Sequence, residues 1–269
     1  MECLKIILLA VIQGVAEFLP ISSSGHLAVL GTLFGFDPEE NLAIGIVLHA
    51  GTLLAILIFY LKTLLKFFRK DHLWLAAMIL LGSVPAGIFG VALKLTGAAE
   101  NVFHSLWIAG GGFLITATLL LWSEKNAAQI QQNADTEEMP LEKISVKQTL
   151  LIGCAQALAV LPGVSRSGST ISAGLFSKLP PAAAAEFSFL LAIPAIGGAA
   201  LLEVLDICKD GTLPAENLWL LLAGFAASAA VGYVSLALLL KLLKKGKLAI
   251  FSWYLYALGT AVILWNVIQ

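Results

Sequence analysis

Two short polar breaks interrupt apolar stretches of this sequence, and they hold most of the side chains that could do chemistry. The first reads Leu19-Pro-Ile-Ser-Ser-Ser-Gly-His26, and the second reads Leu161-Pro-Gly-Val-Ser-Arg-Ser-Gly-Ser-Thr170. The first break supplies candidate nucleophiles in its three serines and a candidate acid or base in His26. Serine runs at a helix start are also typical caps, so this break alone does not identify an active site.

Glu17 is the most informative carboxylate because it lies deep in an apolar run, just before the first break. A charge at membrane depth is costly enough to indicate a function. Gln13 lies one helical turn earlier, so the two side chains share a helix face and could present oxygens to one ligand. The alternative is a glutamate near a helix end that reaches water.

Arg166 is the arginine of the second break, where serines, a threonine and a glycine surround it. Its planar guanidinium suits bidentate contact with phosphate oxygens. A loop of this kind that opens onto a helix N-terminus favours an anion through its N–H groups and the helix dipole. The alternative is a structural salt bridge, with Glu17 as the candidate partner.

The elements that position these side chains must lie in a membrane. The chain has 59% hydrophobic and 12% charged residues, which is too little polar surface to cover a water-soluble globule. Its net charge of -1, with lysines in short clusters between apolar stretches, makes nucleic acid an unlikely partner. We therefore expect an all-α polytopic membrane protein.

Six apolar stretches approach the roughly 20 residues that a spanning helix needs. The predicted spans are 41–61, 72–95, 105–122, 181–205, 217–240 and 247–265. Segments 4–36 and 146–177 contain the two breaks, and their halves are mostly too short to cross alone. Broken backbone at membrane depth is tolerated where protein or a water-filled cavity satisfies it, so we interpret both segments as re-entrant hairpins.

The two halves of the chain look related. When the second half is aligned with the first at a constant offset, Gln156 aligns with Gln13 and Trp265 aligns with Trp122. Each half is then one hairpin plus three spans, and the odd number of spans predicts an inverted-topology repeat. The predicted domains are a first repeat at 1–123, a cytoplasmic linker at 124–145 and a second repeat at 146–269.

Lysine and arginine placement predicts the orientation, since cytoplasmic loops carry the excess. Basic residues follow the first span, the third span and the fifth span, whereas the alternate loops hold one lysine, Lys209. Both termini should therefore face outside. The first hairpin would enter from the outer face and the second from the cytoplasm, so that their tips meet near the midplane.

Three stretches resemble the bacterial undecaprenyl-diphosphate phosphatase family, also called bacitracin-resistance proteins. They are a first motif, Gln13-Gly-Val-Ala-Glu17-Phe-Leu-Pro-Ile-Ser-Ser-Ser-Gly-His26, a second motif, Pro162-Gly-Val-Ser-Arg-Ser-Gly-Ser-Thr170, and the stretch Phe187-Ser-Phe-Leu-Leu-Ala-Ile-Pro194. The resemblance covers the full length. It implies hydrolysis of undecaprenyl diphosphate to the monophosphate at the outer, periplasmic face of the cytoplasmic membrane. That reaction recycles the lipid carrier of cell-wall synthesis and confers resistance to bacitracin.

The resemblance also implies roles for individual residues. Ser23 would be the nucleophile, His26 the proton-transfer residue, Arg166 the diphosphate ligand, and Gln13 with Glu17 the family's Glu/Gln-x-x-x-Glu pair. Two alternatives are left undecided. Water could replace Ser23 as the nucleophile, and Glu17 could bind a divalent cation, Mg²⁺ or Ca²⁺. No organic cofactor is expected, and a homodimer stays open too. The remaining candidate substrate contacts are Ser22, Ser24, Gly25, Ser165, Ser167, Gly168, Ser169 and Thr170.

Two other classes of protein share some of these features. Secondary transporters and lipid flippases also combine inverted repeats with broken helices, and would use an arginine and serines to bind cargo without cleaving it. Phosphatidic acid phosphatases share Ser-Gly-His and Ser-Arg pieces. Their second motif needs a His and an Asp after the arginine, and neither follows Arg166 at useful spacing.

Overall fold

The computed structural model describes residues 2–36, 38–132, 140–210, 218–243 and 248–268, and every regular element within those ranges is helical. Two single 3-10 turns lie at Lys70–His72 and Leu141–Lys143. The α-helices are α1 Glu2–Phe18, α2 Ser23–Phe34, α3 Pro38–Phe59, α4 Leu61–Lys66, α5 Leu73–Leu95, α6 Ala99–Phe103, α7 Leu106–Gln132, α8 Val146–Leu158, α9 Arg166–Phe176, α10 Pro181–Asp210, α11 Leu218–Leu243 and α12 Ala249–Ile268.

Five of the described helices are long and apolar enough to cross a membrane. They are α5, α7, α10, α11 and α12, and a shorter apolar segment, Ala43–Phe59, lies in α3. Many of their large apolar side chains stay exposed, such as Ile88, Trp219 and Trp253. Exposed apolar surface of this extent suits lipid as the solvent, which confirms the all-α polytopic membrane class.

Each polar break separates two helices that are held together as a hairpin. α2, α8 and α9 have 12, 13 and 11 residues, which is too short to span a bilayer. Pro20 lies in the first break and supplies no backbone N–H for a continuous helix. Ser22 and Ser165 then cap the helices that follow, because their side chains accept hydrogen bonds from the backbone N–H groups of Gly25 and Gly168.

The most extensive helix pairings are retained when the two halves are exchanged, although α9 packs against α7 without an equally extensive contact between α2 and α12. Helix α1 packs against α11 as α8 packs against α5, and α11 contacts α3 as α5 contacts α10. α7 and α12, the last helix of each half, pack against each other. The repeat expected from the sequence, and the inversion of its halves across a membrane, stay predictions.

The linker expected at 124–145 is partly folded. α7 continues to Gln132, and Leu141 and Ile144 are buried, while the Trp74 indole N–H donates to the Ile144 carbonyl at 3.0 Å. Two apolar side chains gain burial there, so this end of the linker is more than a solvated connection. Residues 133–139 of the linker, and the predicted span starts at 217 and 247, lie outside the described residues.

Three successive glycines of α7 have different surroundings. A Cβ on Gly110 would lie 2.7 Å from the Ile263 side chain of α12, and a Cβ on Gly112 would lie 2.4 Å from the Pro162 carbonyl oxygen in the second break. A Cβ on Gly111 would meet nothing within 4 Å. Gly112 therefore lets the second break lie directly on α7.

We expect Gly112→Ala to destabilise the protein by about 1–3 kcal/mol or more, because the new methyl group must push the second break away from α7. Gly111→Ala is the matched control and should be neutral or slightly stabilising. Thermal unfolding of both variants in detergent measures the difference. Equal unfolding temperatures for the two variants would contradict the close approach.

Candidate active site

The Glu17 carboxylate, in the last turn of α1, is surrounded by hydrogen-bond donors. The Ser23 hydroxyl donates to Oε2 at 2.6 Å, and the Gln13 amide donates to the same oxygen at 3.1 Å. Arg166 donates from Nη2 to Oε1 at 2.9 Å. Glu17 is 6% exposed, so these contacts replace water as its solvent.

Arg166 reaches Glu17 from the first turn of α9, 149 residues further along the chain. Its Nη1 donates to the Ser188 carbonyl of α10 at 3.2 Å, which holds the guanidinium between α9, α10 and α1. Its buried Nε finds no hydrogen-bond partner among the described residues. The guanidinium therefore keeps donor capacity for a further anion, in addition to its ion pair with Glu17.

The first break places Ser23 and His26 in different surroundings. Ser22 has a φ of 68°, a left-handed conformation that costs a serine roughly 1–3 kcal/mol. His26 donates from Nδ1 to the Ser22 carbonyl at 2.7 Å, and its Nε2 lies 2.7 Å from the Tyr254 hydroxyl. With Nδ1 donating to a carbonyl, a neutral His26 accepts at Nε2 from Tyr254. Glu17, and not His26, is therefore the hydrogen-bond acceptor of Ser23.

Backbone and threonine contacts fix the second break against α7. Thr116 donates from Oγ1 to the Gly163 carbonyl at 3.1 Å, and accepts from the Ser165 backbone N–H at 2.9 Å. Gly163 has a φ of 83°, and a Cβ there would overlap the Ala109 carbonyl. Gly25 approaches the same loop, since its Cβ would lie 2.8 Å from the Gly163 Cα. The two breaks are therefore in contact.

The other polar residues of the second break are mostly engaged with protein. Ser165 and Ser167 lie 3.2 Å apart through their hydroxyls, and Ser167 also donates to the Leu19 carbonyl of the first break at 3.4 Å. The Thr170 hydroxyl lies 2.5 Å from that of Ser188, the residue whose carbonyl holds Arg166. Ser169 is buried, and its hydroxyl finds no partner among the described residues.

Gln13, Glu17, Ser23 and Arg166 are thus the predicted residues that the structure joins in one network. Ser22, Gly25, Ser165, Ser167 and Gly168 build the two loops and their caps around that network. Thr170 positions Ser188, and Ser24 lies at the edge, with its hydroxyl 3.4 Å from that of Ser22. His26 lies beside the network with Tyr254.

Four residues that contact the network or its loops were missed by sequence reasoning. His49 of α3 places Nε2 3.6 Å from Glu17 Oε2, while its Nδ1 donates to the Gly45 carbonyl at 2.7 Å. The sequence gives no signal for His49, because no candidate partner lies near it along the chain. Thr116, Ser188 and Tyr254 also come from distant helices, and Ser188 alone had a signal, since it lies in the stretch after the second motif that supports the family resemblance.

The donor set around Glu17 does not fit a cation bound by the protein alone. No group of three or more His, Cys, Asp or Glu side chains that could hold a metal occurs among the described residues. Hydroxyl, amide and guanidinium donors contact the Glu17 oxygens, and Arg166 would repel a cation placed there. Mg²⁺ is commonly held by substrate phosphates together with few protein ligands. A cation bound in that way is compatible with this network.

We expect Arg166→Ala to destabilise the protein by about 3–5 kcal/mol, because it leaves the Glu17 carboxylate buried without its charged partner. Adding Glu17→Gln to Arg166→Ala should restore part of the loss, since the buried charge is then removed. Thermal unfolding of the single and double variants measures both effects. A double variant less stable than Arg166→Ala would contradict this interpretation of the pair.

Comparison with known proteins identifies the family of this chain. A family model described as bacitracin resistance protein BacA matches residues 6–261. An undecaprenyl-diphosphatase from Halothermothrix orenii is 39% identical, with 98% of each chain covered. Its namesake from Bacteroides thetaiotaomicron is 40% identical over 98% of this chain and 99% of the relative, and that from Methanosphaera stadtmanae is 38% identical over 100% and 99%. The chain belongs to the bacitracin resistance protein BacA family.

Proposed function

We propose that this protein is a membrane phosphatase that hydrolyses undecaprenyl diphosphate to undecaprenyl phosphate and inorganic phosphate, and that it thereby confers bacitracin resistance. The observation that carries this proposal is the Ser23–Glu17–Arg166 network, in which a hydroxyl, its hydrogen-bond acceptor and a guanidinium are in direct contact. Family membership and the names of the relatives point to the same reaction.

Ser23 is the nucleophile of the proposed reaction. Its Oγ forms a bond to the terminal phosphorus while the bridging P–O bond breaks, and the electrons of that bond leave on the lipid monophosphate. The Ser23 proton passes to Glu17, to which the hydroxyl already donates at 2.6 Å. Water then attacks the phosphoserine, which restores the Ser23 hydroxyl and releases phosphate.

Arg166 binds and stabilises the phosphate that is transferred. Phosphoryl transfer depends chiefly on positioning and on neutralising charge at the equatorial oxygens. The Ser188 carbonyl and the Glu17 carboxylate hold the guanidinium before substrate arrives, so little reorganisation is needed at the moment of reaction. The N-terminus of α9, which begins at Arg166, adds a favourable helix dipole.

The site is proposed to open to the outer face of the cytoplasmic membrane, with both termini outside, as the distribution of lysine and arginine predicts. All of the groups in the network come from one chain, so the reaction as derived needs no residue from a second copy. Any divalent cation would arrive bound to the diphosphate, and would neutralise charge there.

Phosphate release from farnesyl diphosphate in detergent, without any gradient, tests the proposal against a transporter or flippase, which would release none. We expect Ser23→Ala to lower the rate by roughly 10³-fold or more, because the nucleophile is lost. Radiolabelled substrate should trap phosphoserine in the wild type. If Ser23→Ala keeps most of the activity and no phosphoserine forms, the nucleophile is water.

We expect Arg166→Ala to lower the rate by roughly 10²- to 10³-fold, since one guanidinium stabilises the transition-state charge. Ser165→Ala and Ser167→Ala remove neighbouring hydroxyls of the same loop and should each cost about tenfold or less. Steady-state phosphate release measures all three variants. An Arg166→Ala protein as active as the serine variants would remove Arg166 from the mechanism.

A further inference from the structure

An apolar cavity of about 420 Å³ lies beside the network, between α1, α2 and α12. Its wall includes Val15 of α1, and Val29 and Leu30 of α2. His26 and Tyr254 are the two lining residues with polar side chains. The cavity is therefore apolar along its length, and its polar groups belong to one hydrogen-bonded pair.

Helix geometry connects this cavity to the reacting groups. Ala16 lines the cavity and immediately precedes Glu17, while His26 lies one turn, about 4.5 Å, beyond Ser23 along α2. Leu33, seven residues beyond His26 and about 10 Å further along the helix, lines the cavity and is 58% exposed. An apolar chain could therefore enter from the exposed end and reach the network at the other.

His26 is buried at the inner end of the cavity, where the half-exposed Tyr254 contacts it. The Ser22 carbonyl fixes Nδ1 of the imidazole, and the Tyr254 hydroxyl contacts Nε2, both at 2.7 Å. The imidazole is stacked on the Tyr254 ring with an interplanar angle of 11°, and Phe113 contacts it edge-on. Tyr254 comes from the last helix of the second half, so a residue 228 positions away sets the direction of the His26 ring.

We propose that Tyr254 is a positioning residue of the reaction, which acts by holding His26 at the inner end of a cavity that takes the first isoprene units of the substrate. The terminal phosphate then lies against Ser23 and Arg166, and the lipid-side phosphate lies between these groups and the inner end of the cavity, where the His26 ring contacts the first isoprene unit. This inference rests on the proposed phosphatase activity. It adds a direction for the substrate and assigns a role to Tyr254.

The test is a double-mutant cycle with Tyr254→Phe and His26→Gln, measured as kcat/KM for farnesyl diphosphate. Tyr254→Phe removes one hydroxyl and should lower kcat/KM about five- to tenfold. In the His26→Gln background the same change should have no further effect, because Tyr254 acts through His26. Tyr256→Phe is the matched control: Tyr256 lies two residues away on α12, its hydroxyl is 2.9 Å from that of Thr118, and its loss should change kcat/KM by about twofold or less.

Val15→Trp tests the cavity itself. Filling it should raise KM for farnesyl diphosphate about tenfold or more and leave kcat nearly unchanged, since chain binding is lost while the network is untouched. Ile88→Trp is the control, because Ile88 is 66% exposed on α5, and no residue of α5 lines the cavity.

Several results would overturn the inference. Tyr254 does not act through His26 if the losses of kcat/KM from Tyr254→Phe and His26→Gln multiply in the double variant, or if Tyr254→Phe leaves kcat/KM unchanged. A Tyr254→Phe protein that loses thermal stability in step with activity would reduce its role to folding. An unchanged KM in Val15→Trp would place the isoprene units elsewhere. If wild-type protein releases no phosphate, the proposed function fails first and this inference fails with it.

Discussion

A carboxylate inside a membrane protein needs a partner, and the structure depends on how Glu17 obtains one. An ion at this depth costs several kcal/mol unless opposite charge and hydrogen bonds surround it. No other charged residue of α1 lies near Glu17 along the helix, so its guanidinium partner comes from the other half of the chain, 149 residues away. The C-terminus of α1 and the N-terminus of α9 therefore both lie in the interior of the protein, where the carboxylate and the guanidinium can meet.

The rest of the fold brings these two groups together. The two helical hairpins place the C-terminus of α1 next to the N-terminus of α9. Glycines allow close contact at the loops, since Gly25 approaches Gly163 and Gly112 packs against Pro162. Arg166 is held by α10 through Ser188, so the guanidinium is fixed from two sides. The hydrogen bonds that stabilise the buried Glu17–Arg166 pair include the one from Ser23, so the same network also orients Ser23 toward its acceptor. Stability and the proposed reaction therefore depend on the same contacts.

Periodicity and composition predicted the membrane class, the helical breaks and the polar residues in them, because those features are local in sequence. The ion pair between Arg166 and Glu17 was one of the two alternatives for Arg166, but other contacts between distant helices could not be predicted in this way. His49 and Tyr254 carry no local signal, yet they lie against Glu17 and His26. The role of His26 in proton transfer was implied by the family resemblance and stays a prediction; in the structure Ser23 donates to Glu17, and His26 contacts Tyr254. The roles of the network residues stay proposals that mutagenesis must test.

The most direct test of this account is the distance between the Glu17 side-chain carboxyl carbon and the Arg166 Nη nitrogens, measured by dipolar-coupling solid-state NMR on selectively labelled protein in lipid bilayers. The account predicts a strong coupling that corresponds to roughly 4 Å or less, as for a hydrogen-bonded ion pair. Addition of a non-hydrolysable prenyl diphosphate analogue should leave that coupling in place, because Arg166 keeps its ion pair with Glu17 while its remaining donor capacity is used for phosphate. Absence of coupling in the substrate-free protein would contradict the account at its base.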